Sequence, residues 1–214
     1  MNLEGGWTGG FYRICEWIYR LAYLNILWLF FTLLGFIVMG IGPSTLAMYS
    51  IMRKWINGED DFRVFPTFSS FFKTGFKQAN VIGLILTIVG LFIIVDVSLL
   101  GYFDGAIQYI VVGSFTTVLI LYMLVMLYIF PVVVQYENTT LQHFKSALII
   151  GVSFPIRTLI TAISVMSVLF ICVIFPAVAL LYLGSGFCFI TMFFSHHLFK
   201  KINEQQIAGT VVAD

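Results

Sequence analysis

Charge is what this sequence has least of. Lysine, arginine, aspartate and glutamate make up 10% of its 214 residues, against about 25% in an ordinary water-soluble domain. Eleven basic and ten acidic residues nearly cancel, so no global field attracts nucleic acid. Cysteine is scarce as well. Cys15, Cys172 and Cys188 have no C-x-x-C or other paired spacing, which excludes a sequence-readable zinc or redox motif and leaves small, reduced packing residues. Also absent are a Walker A sequence, H-E-x-x-H, G-x-S-x-G, clustered carboxylates suited to acid and base catalysis, and the glutamate, alanine and glycine loop of ABC importer permeases. A non-enzymatic protein with no cofactor is therefore expected. The N-terminus has no basic segment followed by a short apolar core and a small-residue cleavage site, so the first span is expected to be retained.

What replaces charge is apolar surface: 60% of residues are hydrophobic and 17% aromatic, in several runs of about 20 residues, the length that crosses a bilayer. The fold class that follows is all-α. We expect a polytopic helical membrane protein of about six membrane helices in one domain over residues 1–201, with amphipathic interfacial helices and a mobile cytoplasmic tail over 202–214.

The chain is organised around Gly40-Ile-Gly-Pro-Ser-Thr45 and the segment after it. Gly40 and Gly42 permit a tight reversal, and Pro43 suits the first turn of a new helix because its missing N–H costs nothing there. These three residues are read as a hairpin between a first span, Ala22 to Met39, and a short second span, Pro43 to Asn57. The second span leaves through Arg53, Lys54 and Trp55, a basic and aromatic exit, and stops at Gly58.

Two segments read as interfacial helices. In residues 10–22, Arg13, Glu16 and Arg20 recur at three and four opposite Phe11, Ile14, Ile18 and Leu21, with Glu16 and Arg20 an i,i+4 pair. In residues 65–78, Phe65, Phe68, Phe72 and Phe76 share one face while Lys73 and Lys77 lie opposite. The second helix suits the headgroup region and is the candidate for docking a partner. Residues 137–150 are a reduced copy of the first interfacial segment, with Leu141, Phe144 and Leu148 apolar and Gln142 and Lys145 polar. Further spans are expected at 80–100, 106–136, 155–174 and 176–201, with a YFDG turn at 102–105 and a bend near Pro131.

Charge placement orients the chain. With six crossings, all eleven lysines and arginines fall on the side shared by both termini, and the opposite turns hold only Asp104. This predicts cytoplasmic termini. A weak parallel repeat is also visible: span, interfacial helix and span recur from residues 43–100 to 106–174.

Asp96 is the one carboxylate clearly inside an apolar run, and an ionisable group in a span is a functional candidate by default. With Asn25, Thr32 and Asn80 it is the candidate lining of a ligand or ion path. His196 and His197 are adjacent and point to different faces of a helix, which does not suit one metal; with Lys200 and Lys201 they form an interfacial basic cluster.

The runs GIGPSTLAMYSIMRKWINGED and VFPTFSSFFKTGFKQANVIGLIL resemble the signature of the YesL-like bacterial membrane proteins, a family defined as a domain of unknown function. The resemblance is most specific from Tyr19 to Leu86. It implies a bacterial plasma-membrane protein connected with carbohydrate uptake, with an ABC sugar importer permease or a membrane sensor kinase as partner beside the lipid bilayer, and it carries no ligand residues over. Two functions are thus expected: an accessory or regulatory subunit of carbohydrate import or sensing, or a small secondary transporter using Asp96. The oligomeric state is not written in the sequence.

Overall fold

The computed structural model describes residues 7–99 and 105–211. Among the described residues every regular element is a helix: α1 (Trp7–Leu34), α2 (Val38–Ile56), α3 (Val64–Thr74), α4 (Phe76–Leu99), α5 (Ala106–Gln135), α6 (Thr140–Ser153), α7 (Pro155–Ile174) and α8 (Pro176–Val211). Among the described residues, five segments are long and apolar enough to cross a membrane: Gly10–Leu34, Phe76–Val97, Ile107–Gln135, Pro155–Ile174 and Pro176–Lys200. The protein is a multi-pass helical membrane protein. Its α2, with 19 residues and roughly 28 Å long at 1.5 Å per residue, is not among the five. Gly40, Gly42, Pro43, Ser44, Thr45, Arg53 and Lys54 dilute its apolar character.

Paired contacts fix the directions. Tyr49 stacks on Phe130 and Arg53 bonds Val134, so both helices advance by four together and α2 runs parallel to α5. Trp17 meets Phe189 while Asn25 meets Leu180 and Ser185, so α1 runs antiparallel to α8. The Gly42 backbone faces Ala79, and Gly75 faces Leu46, so α2 and α4 are antiparallel. Three antiparallel pairs result, α1–α2, α4–α5 and α7–α8, reversing on the same side; against α4 the α1–α2 reversal is shallow, because Gly42, a few residues after it, is level with Ala79 near the start of α4. The short helices α3 and α6 join them at the other end. All eleven basic residues belong to that second end or to the halves of helices next to it, and we refer to it as the basic end.

The first hairpin turns earlier than the sequence suggests. Its reversal is Gly35 to Ile37, where Phe36 and Ile37 have φ of 55° and 62°. Val38 N–H donates to Phe36 O at 2.7 Å, closing a strained γ-turn around Ile37, whose ψ is −69°. Gly40, Gly42 and Pro43 lie inside α2 and do not form the turn. The glycines serve close packing instead. A Cβ on Gly40 would stand 2.3 Å from Thr32 O in α1, and one on Gly42 would stand 2.8 Å from Ala79 O in α4.

Other boundaries shift for related reasons. Residues 10–22 are not a separate surface helix; they continue without a break into the rest of α1, because no proline or glycine interrupts the sequence between Phe11 and Leu34. The segment expected at 65–78 divides at Gly75, so Phe76 and Lys77 open α4. Pro131 sits within an α5 that continues to Gln135. Residues 202–211, expected as a mobile tail, continue α8 as helix. The turn around Asp104 lies outside the described residues.

The repeat has a structural counterpart. In α2–α3–α4 and in α5–α6–α7, a long helix is followed by a polar connection, a short helix, a break of one residue (Gly75 or Phe154) and a second long helix. Each short helix packs chiefly on the long helix before it. Thr139 N–H bonds Gln142 Oε1 at 3.0 Å at the start of α6, satisfying an otherwise orphaned donor.

Candidate functional site

The residues foreseen for a ligand path occupy separate contacts. Asn25 is buried and clamps α8: its Nδ2 donates to Leu180 O at 2.8 Å, and its Oδ1 accepts from Ser185 N–H at 3.1 Å. Thr32 is buried where α1 meets Gly40. Asn80 donates to Phe76 O of its own helix at 2.9 Å. Asp96 is exposed near the far end of α4, 16 residues and so roughly 24 Å beyond Asn80. Elsewhere in the bundle, polar pairs also join helix to helix: Tyr49 with Thr191 at 2.6 Å and Tyr128 with Thr158 at 3.0 Å. Such bonds bind transmembrane helices where hydrophobicity cannot.

The aromatic face of α3 turns inward. Phe68 is fully buried, and the Phe31 ring of α1 lies 5.8, 5.0 and 5.1 Å from the rings of Phe65, Phe68 and Phe72. Phe72 in turn contacts Phe76 at 5.7 Å. Burying these rings stabilises the fold by about 2 kcal/mol each where burial is complete. Of the residues expected to dock a partner, Phe65, Lys73 and Lys77 remain exposed, as do Arg63 and Lys145 nearby.

Charge chemistry is concentrated at the basic end. Arg20 is held by the carboxylates of Glu16, on its own helix, and Asp60, in the loop between α2 and α3. Its guanidinium also lies 5.8 Å from the centroid of the Trp17 ring and 5.4 Å from that of Trp55. Two anions and two indoles thus pin α1 to the end of α2. The i,i+4 pair was legible in sequence; Asp60, forty residues away, was not.

A cleft of about 210 Å³ opens beside this clamp. Arg53 lines it and donates from Nη1 to Val134 O at 2.6 Å, capping one of the orphan carbonyls at the end of α5. Lys54 also lines it, with Nζ 2.6 Å from Glu59 and 5.5 Å from the centroid of the Phe62 ring. Ser50, Asn57 and Phe71 complete the walls.

One buried group was not singled out from the sequence. His143 of α6 is fully buried, with Nε2 3.0 Å from Gln78 Nε2 of α4. This contact joins the start of α6 to the start of α4. Burial lowers the pKa of His143 below the ordinary 6.5, outweighing the opposing effect of the Asn138 backbone. The signal available was a histidine on the apolar face of a short amphipathic helix. Among the described residues no group of three or more His, Cys, Asp or Glu side chains could hold a metal.

Comparison with known proteins fits this picture. A family described as "Protein of unknown function, DUF624" matches residues 21–97, which covers the second half of α1 and nearly all of α2 to α4. The chain is 34% identical over 173 residues to "Uncharacterized protein YteU" of Bacillus subtilis (strain 168), spanning 81% of this chain and 78% of that protein. It is 30% identical over 198 residues to "Uncharacterized protein YesV" of the same organism, spanning 92% and 95%. No solved structure matches. With "Uncharacterized protein YesL" of Bacillus subtilis (strain 168) it shares 30% identity over 199 residues, 93% of this chain and 94% of that one, and on that extent of likeness the chain belongs to the YesL-like family.

Proposed function

We propose that this protein is a non-enzymatic accessory or regulatory subunit of the bacterial plasma membrane, associated with carbohydrate ABC import or sensing. Both termini are cytoplasmic, α2 makes a sixth, short crossing, and the basic end meets an importer permease or a sensor kinase. The observation that carries this reading is the division of labour among polar groups. Inside the bundle, Asn25, Tyr49 and Tyr128 are bonded to neighbouring helices, while Lys73 and Lys77 are exposed beside a connector whose central ring, Phe68, is packed inside. A cationic face left over after internal packing suits a partner or the headgroup layer. The excess of positive charge at this end supports the cytoplasmic orientation.

The test is a crosslinked, mild-detergent purification of the tagged protein at native expression on a plant polysaccharide, with bound proteins identified by mass spectrometry. An ABC permease or membrane sensor should be recovered, and it should be lost with Lys73→Glu plus Lys77→Glu at unchanged protein level and melting temperature. Recovery of this chain alone would argue against the proposal. Replacing Asp96 by Asn should leave growth on the glycan unchanged; a growth defect at normal protein level would favour transport through Asp96 instead.

A further inference from the structure

We propose that the cleft between the ends of α2, α3 and α5 binds a phosphate-bearing anion, either the headgroup of an anionic phospholipid or a soluble phosphate compound. Arg53 is the preorganised half of the site. Its bond to Val134 O engages one donor of the five on a guanidinium, and among the described residues no other group bonds the rest. Anchored at one nitrogen, the side chain has little freedom left to lose when an anion arrives.

Lys54 is the exchangeable half. Its partner Glu59 is more than half exposed, at 52%, and an exposed ion pair contributes only about 0–1 kcal/mol. A phosphate can therefore replace that carboxylate beneath the ammonium. The Asn57 side chain, exposed at the rim, offers two further N–H donors. With Arg53 and Lys54 against Glu59, the cleft holds one excess positive charge, the complement of a phosphodiester.

Position and shape suit the same ligand. The cleft lies where the apolar run of α5 ends at Gln135 and the last turn of α2 becomes basic, which is the depth of a headgroup if these helices span the bilayer. Phe71 and Val134 supply an apolar wall beside the cations, against which the carbon skeleton of a phosphate ester can lie. The site requires no protein partner, so it stands or falls separately from the accessory reading.

The experiment uses the full-length protein purified in neutral detergent. Native mass spectrometry would follow retention of phosphatidylglycerol against phosphatidylcholine, and thermal shift would follow stabilisation by phosphatidylglycerol and by inorganic phosphate. Lys54→Gln is the main variant, because removing one charge-assisted contact should weaken binding about tenfold. Arg53→Gln should weaken it further. Should that variant fail to fold, Lys54→Gln alone still tests the site. Lys73→Gln, an exposed cation outside the cleft, should change binding less than about twofold.

Selective retention of phosphatidylglycerol that depends on Lys54 and not on Lys73 would support the site with a lipid as ligand. Stabilisation by inorganic phosphate with the same dependence, and no retained lipid, would support it with a soluble ligand. Equal effects of Lys54→Gln and Lys73→Gln, or no preference for phosphatidylglycerol and no effect of phosphate, would overturn it.

Discussion

In this protein the most buried helix and a strongly apolar one are different helices. α2 was too polar in composition to count among the candidate spans, yet eleven of its residues are buried, from Gly40 to Trp55. α4 is one of the five apolar spans, and the buried residues recorded in it are Ala79, Ile82, Leu86 and Ile93. These four fall at spacings of three, four and seven, a single stripe facing the bundle, while Leu84, Leu91 and Phe92 face outward. A soluble protein sorts hydrophobic side chains inward. In a bilayer the lipid is as apolar as leucine, so outward-facing leucines are already at home. Packing then selects for small residues and paired polar groups instead.

The strongest way to break this contrast is to disturb the packing around α2, by emptying it or by overfilling it. Phe68→Ala would leave a cavity where α3 rests on α1 and α2, and Gly40→Ala would force a methyl group against the backbone of Thr32, 2.3 Å away. Each is expected to destabilise by about 3 kcal/mol or more, read as a large drop in melting temperature in detergent or as loss of folded protein. Gly83→Ala in α4 is the matched control. Nothing lies within 4 Å of the added methyl, and melting should rise slightly, since alanine is the better helix former by about 1 kcal/mol. A drop comparable to that of Gly40→Ala would refute the contrast.

Asn25→Leu comes next. It removes two bonds to α8, and a loss of about 1–2 kcal/mol is expected. On α4, Thr87 bonds only Gly83 O of its own helix, so Thr87→Val should have an effect near zero in the same melting assay.

The connection between α4 and α6 is predicted to respond to pH. His143 has a folded pKa below its unfolded 6.5, so the unfolded chain takes up the proton first as pH falls. The contribution of this group is constant above about pH 6.5 and turns against folding below it. Melting temperature should therefore fall as pH is lowered from 6.5, and His143→Gln should flatten that slope. An unchanged slope would assign the acid sensitivity to other groups.

The smallest effect belongs to the outward face. Phe92 is 65% exposed, and Phe92→Ala should change melting by no more than about 0.5 kcal/mol. A larger loss would mean that this face of α4 packs against protein and not lipid.

Local rules read most of the helices correctly. Pro155 and Pro176 open α7 and α8 as foreseen, since a proline at a helix start loses nothing. The face of α3 that gathers Phe65, Phe68 and Phe72, the pair Glu16–Arg20 and the span of α5 also follow from spacings of three and four. What those spacings leave open is the partner of each face. An aromatic stripe on a short helix is equally suited to lipid, to another protein or to its own bundle, and only the position of Phe31 assigns the Phe68 face to the interior. The glycines around Pro43 met the same ambiguity: glycine permits both a turn and a close approach, and its sequence context does not distinguish them.

The sequence alone determined that this is a helical membrane protein, which end of it is basic, and where most helices begin, because hydrophobic length, charge placement and proline act within a few residues. Tertiary structure alone decided that the reversal falls at Phe36 and Ile37, that α2 sits at the centre, and that Arg53 and Lys54 share a cleft with Val134 of a distant helix. Those outcomes depend on how closely two backbones can approach, and the approach of Gly40 to Thr32 or of Gly42 to Ala79 is a property of pairs of helices that neither segment carries by itself.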